Sequence, residues 1–72
     1  MKKIEKIIKL KKYLSEIPLT EREKSIVAYR IGYNSGIPYT LRATGKAFNI
    51  SHERVRQIEQ KALDSIDILT ST

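Results

Sequence analysis

Apolar side chains recur along this 72-residue chain at steps of three and four, which predicts helices and no strand. The first segment, residues 2–16, sets Ile4, Ile7, Ile8 and Leu14 on one face with Leu10 at its margin. Lys2, Lys6, Lys9 and Lys12 fall on the other face, and Pro18 stops the helix. The second segment opens at "LTERE", where Thr20 and Glu23 have capping-box spacing. It buries Ile26, Val27 and Ile31 and ends at Gly32, where a glycine lets the chain turn left-handed. "YNSGIPY" then reads as a loop. A short third helix, 41–48, starts behind Thr40 and carries Leu41, Ala47 and Phe48. After a tight connection at Asn49 and Ile50, Ser51 caps a fourth helix, 52–68, with Val55, Ile58 and Ala62 turned to the core. The expected organisation is a basic amphipathic helix over 1–16, a helical domain over 17–68 and a polar tail over 69–72 that frays.

Composition narrows the function classes. A chain this short buries only about 60% of its unfolded surface, so its core is small. There is no cysteine and a single histidine, His52, which excludes thiolate and His-rich metal sites, and no cofactor motif is present. No apolar run reaches the roughly 18 residues of a membrane span. The basic start lacks the features of a secretory signal, so a cytoplasmic protein is expected. The net charge of +6 points to an anionic partner, nucleic acid first. Six lysines and one acid occupy residues 1–12, so most of that charge belongs to the first helix. Its lysines could meet DNA phosphate, an acidic protein surface or anionic lipid, or simply solvate one face of a core helix.

The chemistry concentrates in "SHERVRQIEQKALDSI", residues 51–66. Two helices joined by a short turn, the second longer and capped by serine, form a helix-turn-helix candidate. In such a unit the N-terminal side chains of the second helix reach base edges in the major groove. His52, Glu53, Arg56 and Gln57 occupy those positions, and their types suit guanine, adenine and cytosine edges. An ordinary helical bundle with one solvated charged face is the alternative. Glu59 could pair with Arg56 or Lys61 within the helix, while Tyr33 and Tyr39 either stack at the loop or contact phosphate, or are half-buried packing residues. Ser51 and His52 lack the third group and oxyanion site of a catalytic pair, and an enzyme is not expected.

Residues 19–66 also resemble region 4 of the sigma-70 family of bacterial transcription initiation factors. The resemblance rests on "LTEREKSIVAYRIG" (19–32), "YTL" (39–41), Gly45, Phe48 and "ERVRQIEQKAL" (53–63). It implies an all-α fold, a small helical bundle with a C-terminal helix-turn-helix. It further implies binding to the promoter −35 element and to the flap of the RNA polymerase β subunit. Carried over, it assigns base contacts to His52, Glu53, Arg56 and Gln57. Phosphate contacts fall at Arg22, Thr40 and Leu41, with Arg54 or Lys61, and a flap groove lies near Ile26, Val27 and Ile31. The family usually has an arginine at His52, and two acids and an aliphatic residue at Arg42, Ala43 and Thr44, so Thr44 places a hydroxyl at a usually buried position. Asp64 stands where a basic residue is common. Nothing resembles the region that reads the −10 element, which a second protein would supply. The expectation is a stand-alone region-4-like protein, phage-encoded or half of a split sigma factor; an excised domain is the alternative. Two functions stay open: a −35-reading DNA-binding factor, and a polymerase-binding adaptor or sigma antagonist with little DNA readout.

Overall fold

The computed structural model describes residues 2–70, with side chains from residue 5 onward. The expected placements of the Lys2 and Ile4 side chains and of residues 71–72 lie outside the described residues. Four α-helices follow one another: α1 Lys2–Tyr13, α2 Glu21–Ile31, α3 Leu41–Phe48 and α4 His52–Leu69, with a 3-10 turn, Leu14–Glu16, after α1. No strand occurs among the described residues.

One core joins them all. Leu10, Leu14, Ile17 and Leu19 meet Ile26, Val27 and Ile31 of α2 and Val55, Ile58, Ala62 and Ile66 of α4. The α1 segment is therefore built into the same core as residues beyond 17. Its buried seam differs from the expected one. Leu10 is completely buried and Ile8 is 61% exposed. The seam runs Ile7, Leu10, Leu14, at steps of three and four, and continues to Ile17 through the 3-10 turn; Ile8 falls outside that stripe. The α-helix also ends at Tyr13 and not at residue 16. Ile17 is extended (φ −79°, ψ 147°), the conformation a following proline imposes, and the last turn tightens to reach it.

Capping sets the other boundaries. The Thr20 hydroxyl accepts from the Glu23 N–H at 3.1 Å, and the Glu23 carboxylate accepts from the Thr20 N–H at 3.0 Å. Gly32, at φ 72°, closes α2, and the Tyr33 N–H returns to the Ala28 carbonyl. Asn49 closes α3 in the same left-handed conformation, with the Ile50 N–H donating to the Gly45 carbonyl. Asparagine tolerates that conformation better than other side chains do.

The α3–α4 turn is tight because α3 presents Gly45 to it. A Cβ there would lie 2.6 Å from the Ile50 carbonyl oxygen, too close for any side chain. On α3, Ala47 is exposed and Phe48 is half-buried, packed against the rim of the core. Phe48 packs edge-on against Tyr29, which stacks on Tyr39 at 4.3 Å. Tyr39 is thus a packing residue, while Tyr33 is 49% exposed.

Thr44 is fully buried, and its hydroxyl has no hydrogen-bond partner among the described residues. A buried unmade hydrogen bond costs about 1–3 kcal/mol. Thr44→Val keeps the shape and removes the hydroxyl, so it is expected to stabilise the fold by about 1 kcal/mol in urea unfolding. A loss of stability would show that the hydroxyl is satisfied.

Glu23 is also buried, at 8% exposure. The Thr20 N–H, and then Lys61 at 3.3 Å, hold its carboxyl below the ordinary value of 4.5. A depressed carboxyl stabilises the fold above the unfolded value, and that stabilisation is lost as pH falls through the folded one. Glu23→Ala is expected to cost about 1 kcal/mol at pH 7. The difference from wild type should shrink as denaturation is repeated below pH 4.5; a constant difference down to pH 3 would contradict this assignment of the charge.

Candidate nucleic-acid interface

Helix α4 has two faces because its apolar residues recur at 55, 58, 62 and 66. That stripe is buried, and His52, Glu53, Arg56, Gln57 and Gln60 on the remaining surface are exposed. Ser51 starts the helix by accepting from the Arg54 N–H at 3.1 Å. The first two turns of α4 therefore project all four expected base-reading side chains into solvent. Arg56, Gln57, Gln60 and Lys61 further share one shallow groove along the outer face.

Several of these groups already have partners. Arg56 forks onto Glu53, its Nε donating to the two carboxylate oxygens at 2.9 and 3.1 Å, with a further short contact from its terminal nitrogen. Through that hydrogen bond Arg56 holds the Glu53 carboxyl below its ordinary value, and Glu53 in turn makes Arg56 harder to deprotonate. Both side chains are more than half exposed, so the pair orders Arg56 more than it stabilises the fold.

The expected phosphate ligands divide in a way the sequence does not show. Arg22 donates to the Phe48 carbonyl at 2.8 Å and lies over the Phe48 ring, closing the C-terminal end of α3. Arg54 and Lys61 both face Glu23, at 3.9 and 3.3 Å. Thr40 spends its hydroxyl on the Ala43 N–H, and Leu41 is half-buried against the core. The backbone N–H groups at the start of α3 face outward, as in any helix N-terminus. Glu59 pairs with neither Arg56 nor Lys61. It faces Arg30 of α2 at 3.5 Å, and Arg30 also donates to the Tyr39 carbonyl, linking α4, α2 and the loop. The partner lies on another helix, which intrahelical spacing cannot reveal.

Ile26, Val27 and Ile31, expected near a flap groove, are 1–4% exposed: they belong to the core and offer almost no surface of their own. The surface apolar groove nearby is lined by Ile7 and Ile8 of α1, Ile31 of α2 and Pro38 of the loop, with Lys11 beside them. A second concavity, absent from the sequence reading, lies between α3 and the start of α4, where Arg42 and Lys46 meet His52. Its signal in the sequence was Arg42 and Lys46, four apart on a helix and so on one face.

No group of three or more His, Cys, Asp or Glu among the described residues could hold a metal ion, and no helix there is long and apolar enough to cross a membrane.

Residues 18–66 match the family Sigma-70, region 4. The chain is 44% identical over 50 residues to a probable RNA polymerase sigma-C factor from Synechocystis sp., covering 69% of this chain and 12% of that protein. It is 48% identical over 48 residues to the RNA polymerase sigma-C factor of Nostoc sp., with 67% and 12% covered. It is 45% identical over 56 residues to RNA polymerase sigma factor SigA of Bacillus sp, with 75% and 15% covered. The chain thus spans less than a fifth of these relatives. No solved structure matches it. The matched segment contains the capped α2, the α3–α4 turn and most of the exposed face of α4, and by that match this chain belongs to the Sigma-70, region 4 family.

Proposed function

We propose that this protein is a DNA-binding transcription factor that reads a −35-like promoter element with α4 and acts with RNA polymerase. The observation that carries this reading is the exposed cluster of His52, Glu53, Arg56 and Gln57 on a helix start fixed by Ser51. Arg56, ordered by Glu53, is suited to a guanine edge and Gln57 to an adenine edge. His52 offers one hydrogen bond where a bidentate arginine makes two, so discrimination at its base is weaker.

A second reading has its own support. Arg54, Arg56 and Lys61 are engaged with Glu23 and Glu53, which lowers the positive field on the reading face. A protein that chiefly occupies polymerase needs little DNA affinity. In both readings the groove of Ile7, Ile8, Ile31 and Pro38 receives an apolar segment of the polymerase β flap.

Fluorescence anisotropy on duplex DNA separates the two. With three to six phosphates neutralised, log K should fall with log salt at a slope of about −3 to −5. Arg56→Ala should cost about 1–3 kcal/mol and relax preference at one base pair, and His52→Arg should tighten binding to a −35-like sequence. Absence of binding at low salt would leave the adaptor reading.

The polymerase contact is tested by Ile8→Glu, which changes an exposed position and spares the core. Retention of the isolated β flap on immobilised protein should drop about tenfold or more, since burying an aliphatic side chain contributes about 1.5–3 kcal/mol. Equal retention by variant and wild type would exclude this groove.

A further inference from the structure

The basic side chains of the helix-turn-helix are not equivalent. Arg22, Arg54, Arg56 and Lys61 each have an acceptor within the protein: the Phe48 carbonyl, Glu23, Glu53 and Glu23 again. Arg42 and Lys46 have no ion pair and no side-chain hydrogen bond among the described residues, and both are exposed. They stand one turn apart on α3 and share one concavity with His52. No carboxylate lines that concavity. The turn beneath it cannot open without moving backbone, because Gly45 lies directly against Ile50.

Neutralising a phosphate with a paired cation means surrendering its internal partner, whereas an unpaired cation exchanges only water and counterions. Arg54 and Lys61 share the single charge of Glu23, so the gain per phosphate is largest at Arg42 and Lys46. From this we infer that α3, through Arg42 and Lys46, forms a phosphodiester clamp beside the reading helix and is the main source of this protein's sequence-independent DNA affinity. The inference rests on the DNA-binding reading. It reassigns the backbone contacts expected at Arg54 and Lys61, whose carboxylate partners make them braces between α4 and α2. It also gives a role to Arg42, which stands where the sigma-70 pattern usually has an acid. A clamp holding the backbone next to His52 compensates in affinity for a residue that makes one base contact where arginine makes two.

The test is a salt titration of binding to one −35-like duplex and one scrambled duplex, with folding checked by circular dichroism. Arg42→Gln and Lys46→Gln should each make the log K–log salt slope shallower by about 1, and the double variant by about 2. The ratio of affinities for the two duplexes should stay unchanged, because phosphate contacts carry no base information. Arg42→Lys should keep the wild-type slope. Lys61→Gln should lower the unfolding midpoint and leave the slope unaltered. If wild type binds and the double variant keeps its slope, or if Lys61→Gln takes the larger share, the clamp is overturned and DNA binding by α4 stands. If wild type binds neither duplex at low salt, the clamp falls together with the DNA-binding reading.

Discussion

The fold depends on the apolar seam of α4. Val55, Ile58, Ala62 and Ile66 are at most 3% exposed, and α4 packs against each of the other three α-helices. A chain with so small a core has no spare apolar area, so one helix must serve as the common wall. The same periodicity that buries these four residues leaves a continuous outer strip that carries His52, Glu53, Arg56 and Gln57. Loss of the seam would remove the exposed face of α4 with the fold.

Around that seam, charge works as mortar. Glu23 caps α2 through Thr20 and reaches across to Arg54 and Lys61 of α4, joining the start of one helix to the first half of another. Arg30, Glu59 and the Tyr39 carbonyl make a similar link on the other side. Such links have a functional consequence: an arginine used as a brace is less available as a ligand. The net charge of +6 is thus divided between cations held by carboxylates, such as Arg54, Arg56 and Lys61, and cations without such a partner. Much of that total sits on the lysine-rich α1, whose Leu10 packs into the core that α4's seam completes.

The α3–α4 unit adds rigidity where recognition needs it. Gly45 lets the two backbones touch, and Asn49 closes α3 with the left-handed residue the turn requires. His52 is therefore held relative to Arg42 and Lys46 by backbone contact, which does not relax as side chains do. Thr44 is the unsatisfied member of this unit, a fully buried hydroxyl without a partner among the described residues where an aliphatic side chain would fit.

The sequence by itself determined the number and order of the helices and nearly all of their caps, because capping and periodicity are local. Thr20 with Glu23, Gly32, Thr40 and Ser51 each act within a few residues of themselves. The exposed quartet on α4 was legible for the same reason, since a helix wheel needs only spacing. The family resemblance was also there in the spacing of "LTERE", Gly45 and "ERVRQIE". What only the tertiary structure decided was which of several apolar or charged neighbours wins a shared surface. Ile8 and Leu10 are equally apolar, and packing against α4 buries one and exposes the other. Glu59 had two lysine or arginine candidates in its own helix and took Arg30 from another. Arg54, Lys61, Arg42 and Lys46 look alike as letters, and only the position of Glu23 separates braces from free cations. Such choices are made between residues far apart in the chain, by distance and desolvation that no local pattern encodes.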